Sequence, residues 1–180
     1  MRGFSFMIKH INIKNHREAI AALKQYQDKK YFNQTIRIRN VQLKKINSVL
    51  KYIIFDKNDL YIDTETLFEI MQPTGGKGKH NYHGLTPEEI LDSLNAISEP
   101  YCVFEDEFQK YAIITTSLTS NMEQIMVIVA IGSGTYIDYK ACVNKIVTIF
   151  PKRNAEKYVD RINPKKILYK NEYSILRIKK

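Results

Sequence analysis

Ile125-Met126-Val127-Ile128-Val129-Ala130-Ile131 is the longest apolar run in the chain. Its seven residues have strand length and fall far short of the roughly 18 that a membrane-crossing helix needs. A strand apolar at nearly every position has to be covered on both faces, so it belongs in the middle of a sheet. Two further strands are expected upstream, at 101–104 and 110–116, joined to it by short polar turns. Connections this short favour antiparallel neighbours. Downstream, 142–150 alternates as another strand, with Val143, Lys145, Val147 and Ile149 on one face and Asn144, Ile146, Thr148 and Phe150 on the other. Pro151 ends it, a helix is expected over 154–162, and 167–169 and 174–178 read as closing strands.

Before the central run, Thr86-Pro87-Glu88-Glu89 is a strong helix start: a capping Thr, Pro in the first helical position, and Glu three residues after the Thr. Ile90, Leu91, Leu94 and Ile97 supply its apolar stripe, and Pro100 stops it. Nearer the amino terminus, Asn15 and Glu18 have capping-box spacing ahead of Ile20, Leu23 and Tyr26. Thr35-Ile36-Arg37-Ile38-Arg39 alternates as a strand whose charged face reads as a solvated edge. A short helix is expected over 42–50, short strands at 51–55 and 60–62, and a helix capped by Thr64 and running to Met71. These elements predict an α+β fold, with helices packed on a four- to six-stranded antiparallel sheet. A soft boundary near residue 50 divides a basic helix–strand extension, 1–50, from an α+β domain, 51–180.

The 180 residues carry a net charge of +9, unevenly spread. Residues 1–50 hold 11 Lys/Arg against 2 Asp/Glu, residues 51–139 hold 5 against 14, and residues 140–180 hold 12 against 3. Basic ends around an acidic middle suggest a surface that attracts polyanions. With 44% hydrophobic and 26% charged residues, a disordered, collagen-like or rod-like chain is excluded. No membrane span and no secretory signal are expected. Two cysteines, Cys102 and Cys142, are too few for a disulfide framework and read as reduced core residues.

Chemistry is available at two places. His80 and His83 form H-x-x-H without further ligands at metal spacing, so a zinc site is not expected. His83 precedes Gly84 at the entrance to the capped helix, where a rigid element would hold a ring that still faces a loop. The second place is Asn144-x-Ile146-x-Thr148-x-Phe150-Pro151-Lys152-Arg153, a strand end carrying a hydroxyl and two cations suited to an oxyanion. The loop Gly75-Gly76-Lys77-Gly78-Lys79 has the wrong spacing for a P-loop and reads as a flexible basic loop.

Tyr82-His83-Gly84-Leu85-Thr86-Pro87-Glu88, the Glu99-Pro100 strand entry, the Asn144–Asn154 stretch and Ile167-Leu168-Tyr169 together resemble phage MuF-type carboxy-terminal toxin domains over about residues 58–172. The resemblance implies membership of the barnase, EndoU, colicin and RelE-like nuclease group. It further implies metal-independent RNA cleavage by 2′-hydroxyl attack on the adjacent phosphate, with no cofactor. Matched residue by residue, His83 would be general acid or base, Thr148 would bond the scissile phosphate, and Lys152 and Tyr169 would match the family's lysine and closing tyrosine. Arg153 joins Lys152 from charge and position, and Lys77, Lys79, His80 and Asn144 are expected to contact RNA. Tyr169 is expected to stack on a base. Thr148 stands for a serine, Tyr82 for a lysine and Phe150 for a tyrosine in the family pattern. A toxin of this kind implies an acidic antitoxin or immunity protein as partner. Two other classes remain open at this point: a non-catalytic RNA- or DNA-binding module, and a phage structural or interaction protein.

Overall fold

The computed structural model describes residues 10–50, 59–75, 78–107, 110–130 and 144–172. Among these, eight strands form one mixed sheet: β1 (His10–Asn12), β2 (Thr35–Arg39), β3 (Asp59–Asp63), β4 (Cys102–Glu107), β5 (Lys110–Leu118), β6 (Gln124–Ala130), β7 (Lys145–Lys152) and β8 (Ile167–Lys170). Their spatial order is β1-β2-β3-β7-β6-β5-β4-β8. The helices are α1 (His16–Asp28), α2 (Lys44–Val49), α3 (Thr64–Ile70), α4 (Pro87–Ala96) and α5 (Ala155–Val159), with a 3₁₀ turn at Pro164–Lys166.

The expectation of a four- to six-stranded antiparallel sheet is corrected. The run β7-β6-β5-β4-β8 is antiparallel, but β1 lies parallel to β2, and β3 lies parallel to β7. The parallel junction brings the three amino-terminal strands into the same sheet: Tyr61 faces Lys145, and the Tyr61 amide donates to the Asn144 carbonyl at 2.9 Å. Parallel pairing needs a long crossover, so short-turn reasoning cannot find it. The reading of β2 as an edge is corrected too. It is flanked by β1 and β3, and its Arg37 donates to Asp59 on β3 from Nε at 2.9 Å.

Local signals hold where the sequence is specific. Both halves of the Thr86–Glu89 capping box are present, and Ile90, Leu91 and Leu94 are buried. Asn15 accepts from the Glu18 amide at 3.4 Å to start α1. Thr64 does not cap α3. Asp63 holds that position, and the buried Thr64 hydroxyl bridges the Tyr31 and Gln34 carbonyls at 2.9 and 3.2 Å. The helix expected over 154–162 is shorter, Ala155–Val159. The strands expected at 51–55 and 174–178, and Cys142, lie outside the described residues. Cys102 is a free, buried thiol, pushed up to about 11 by burial. No helix among the described residues is long and apolar enough to cross a membrane.

Two apolar layers cover the sheet. The larger takes in Leu23 of α1, Ile46 of α2, Leu67 of α3 and Ile90 of α4 with Ile113, Val127, Ile146 and Ile149 of the strands. The smaller takes in Ala155 and Val159 of α5 with Phe104, Ala112, Met126 and Ile128. In β7 the expected alternation breaks. Thr148 faces Ile128, yet Ile146 faces Val129, so Val147 is an extra residue in the ladder. Ile146 and Ile149 therefore both reach the larger layer, while Thr148 and Phe150 turn to the α5 side. This corrects the assignment of Ile146 and Thr148 to one face.

Burial of three large aliphatic side chains on α4 stabilises by roughly 2 kcal/mol each, against about 1 kcal/mol for its cap. Thr86→Ala is expected to lower stability by about 1 kcal/mol. In urea unfolding this is a lower midpoint with an unchanged slope, and an unchanged midpoint would show the cap to be idle.

Candidate functional site

His83 reaches its position through the residue after it. Gly84 has φ +66, a left-handed conformation that costs an L-residue roughly 1–2 kcal/mol. Its amide donates to the Gln72 carbonyl at 2.8 Å, and the Leu85 amide donates to the Ile70 carbonyl at 3.1 Å. Leu85 is buried. The segment before α4 is thus tied to the end of α3, next to β7.

From there the His83 ring meets β7. Nε2 lies 3.3 Å from the Thr148 Oγ1, and the ring centroid lies 5.5 Å from that of Phe150. These two residues, 65 positions after His83 and beyond, stand on the α5 side because of the Val147 bulge. With Nε2 unprotonated, the Thr148 hydroxyl donates to it; with Nε2 protonated, the hydroxyl accepts. Burial lowers the His83 pKa from its ordinary 6.5, so the neutral ring prevails at neutral pH.

Lys152 lies on the same face as Thr148 and Phe150, opposite Gln124 in register. Its ammonium stands 3.5 Å from the Tyr158 ring centroid, the closest ammonium–ring contact among the described residues. Burial lowers its pKa as well. Sequence reasoning missed Tyr158, although its place in the first turns after Lys152 and Arg153 was a signal.

The remaining candidates are not gathered there. Arg153 is paired through Nε with Glu123 at 3.1 Å, its side chain 83% exposed. Tyr169 lies opposite Val103, on the larger-layer side, and β8 is four strands from β7. Its ring takes the Lys45 ammonium at 4.5 Å. Lys79 and His80 are exposed, with Lys79 5.3 Å from the Tyr82 ring centroid. Asn144 gives its carbonyl to β3. Lys77 lies outside the described residues. Among the described residues, no group of three or more His, Cys, Asp or Glu side chains could hold a metal ion.

Among the described residues, five cations of the basic ends pair with carboxylates of the acidic middle. Lys24, Lys30 and Arg37 from the basic start pair with Glu88, Glu69 and Asp59 of the acidic middle. Lys145 and Arg153 from the basic end pair with Asp63 and Glu123. No carboxylate pairs with Lys152 among the described residues.

Because burial disfavours the charged ring, the folded protein binds the His83 proton less readily than the unfolded chain. This contribution to stability is full above pH 6.5 and is lost as pH falls through 6.5 toward the folded-state value. An NMR titration of the His83 ring protons should give a midpoint below 6.5. A midpoint at or above that value would contradict the half-buried placement.

No curated protein and no solved structure matches the chain. The sequence pattern of the phage MuF-C-terminal domain matches residues 75–175, more than half of the chain. That span takes in α4, β4 to β8 and α5, and with them His83, Thr148, Lys152 and Tyr158. The chain belongs to the phage MuF-C-terminal domain family.

Proposed function

We propose that the protein is a metal-independent endoribonuclease toxin of phage or mobile-element type, and that His83 and Thr148 are its reacting pair. The observation that carries this reading is the 3.3 Å approach of His83 Nε2 to the Thr148 hydroxyl, with the ring biased to its neutral form by burial. A neutral imidazole accepts a proton at physiological pH. A hydroxyl beside it can turn to donate to a phosphoryl oxygen.

In the reaction, the 2′-hydroxyl of the substrate gives its proton to His83 Nε2 as its oxygen bonds to the adjacent phosphorus. The bond from phosphorus to the 5′-oxygen breaks, that oxygen takes a proton from water, and the proton held on His83 neutralises the hydroxide left behind. The products are a 2′,3′-cyclic phosphate and a free 5′-hydroxyl. Thr148 holds a non-bridging oxygen as negative charge builds there. The Phe150 ring against His83 limits the ring's rotation and keeps water from one side of it.

The test is cleavage of total RNA by purified protein with a chelator present. Wild type should cleave, and His83→Ala should lose roughly 10²–10⁴-fold in rate. Thr148→Ala should lose activity, and Thr148→Ser should keep it. The rate of wild type should rise with pH along a limb whose midpoint lies below 6.5. Equal behaviour of wild type and His83→Ala would sink the reading. RNA binding without cleavage would favour a non-catalytic binding module instead.

A further inference from the structure

We propose that Lys152 and Tyr158 form a subsite for a backbone phosphate flanking the scissile one, so that the site takes a strand longer than a dinucleotide. The proposal rests on the phosphodiester reading above and adds to it where the second phosphate is held.

Lys152 is four residues beyond Thr148 on the same face of β7, about 13 Å along the strand between Cα atoms. Phe104, Ala112, Ile128 and Thr148 face one another in a row across β4, β5, β6 and β7. Phe104 therefore lies three strand spacings, about 14 Å, from Thr148. The Tyr158 ring packs edge-on to Phe104 with centroids 6.0 Å apart, toward the middle of the sheet. The Lys152 ammonium sits on that ring, so it leans away from the edge where His83 meets Thr148. Two successive phosphates of one strand match this displacement across the sheet better than one shared phosphate does.

The manner of holding matters. A carboxylate partner fixes a cation and cancels its charge, as Glu123 does for Arg153. An aromatic ring fixes a cation and leaves its charge largely uncompensated. Partial burial makes that charge costlier, which is the direction of its pKa shift. An incoming phosphate offsets the cost. Burial, and after it the negative charge of Asp106, raise the Tyr158 pKa, so the phenol stays neutral. Tyr158 is a positioning residue: it acts through Lys152.

The experiment compares Lys152→Ala, Tyr158→Leu and Tyr158→Phe on a dinucleoside monophosphate and on a longer oligoribonucleotide. Binding of the 2′-deoxy form of the longer strand, which lacks the attacking hydroxyl, is measured in parallel. Lys152→Ala and Tyr158→Leu should raise KM for the long strand about fivefold with kcat kept, and leave the dinucleotide unchanged. The slope of log affinity for the deoxy strand against log salt should fall by about 0.7. Tyr158→Phe keeps the ring and should behave as wild type. A loss in kcat, or an equal loss on the dinucleotide, would place Lys152 at the scissile phosphate and overturn the proposal. A loss with Tyr158→Phe as large as with Tyr158→Leu would overturn the role of the ring. If wild type cleaves neither substrate, the cleavage reading falls on its own. Binding of the deoxy strand then decides: weakening in Lys152→Ala and Tyr158→Leu supports the subsite, and unchanged binding refutes it.

Discussion

Val147 is one residue too many for the ladder between β6 and β7, and the arrangement of the site depends on it. A strand presents alternate residues to alternate faces, so a single insertion exchanges the faces of everything beyond it. On one side of the insertion, Ile146 seals the layer beneath α1 to α4. On the other, Ile149 does the same, and Thr148, Phe150 and Lys152 turn to the α5 side. An unbroken strand would send Ile146 and Thr148 into the same layer. The hydroxyl would then lie in the larger apolar layer, out of reach of His83.

The electrostatics follow a similar division of labour. A net charge of +9 says little about which cations are free, since some at both ends pair with carboxylates of the middle. Exposed pairs of this kind contribute little to stability, typically under 1 kcal/mol. What they do is remove Arg37 and Arg153 from the set of free anion hooks. Lys152, on the same face of β7 as Thr148, rests on a phenol ring and has no carboxylate partner among the described residues.

Much of this was legible in the sequence, and the limits have physical reasons. The Thr86–Glu89 box, the apolar stripe behind it and the three strands from Cys102 to Ala130 are written in local spacing. The meeting of His83 and Thr148 was suggested only by the order of motifs in a resembling family, because nothing local links residues 65 apart. The parallel junction of β3 with β7 leaves no local trace, since its partners Tyr61 and Lys145 are more than eighty residues apart. The bulge is silent too: Ile146-Val147-Thr148-Ile149 alternates as well in the wrong register as in the right one. Tyr169 shows how a sequence match can mislead about neighbourhood. Its strand is matched, but the ring lies across the sheet from the imidazole, beside Lys45 of α2.

The pairing of Tyr61 with Lys145 also bears on the order of events during synthesis. One edge of β3 has no strand to lie against until more than eighty further residues have left the ribosome. Closing so long a segment costs entropy that local turns do not. The nascent amino-terminal strands therefore wait with an open flank. The strand that shelters them is the same one that delivers the hydroxyl to the imidazole, so docking of the early segment and completion of the site are a single late step.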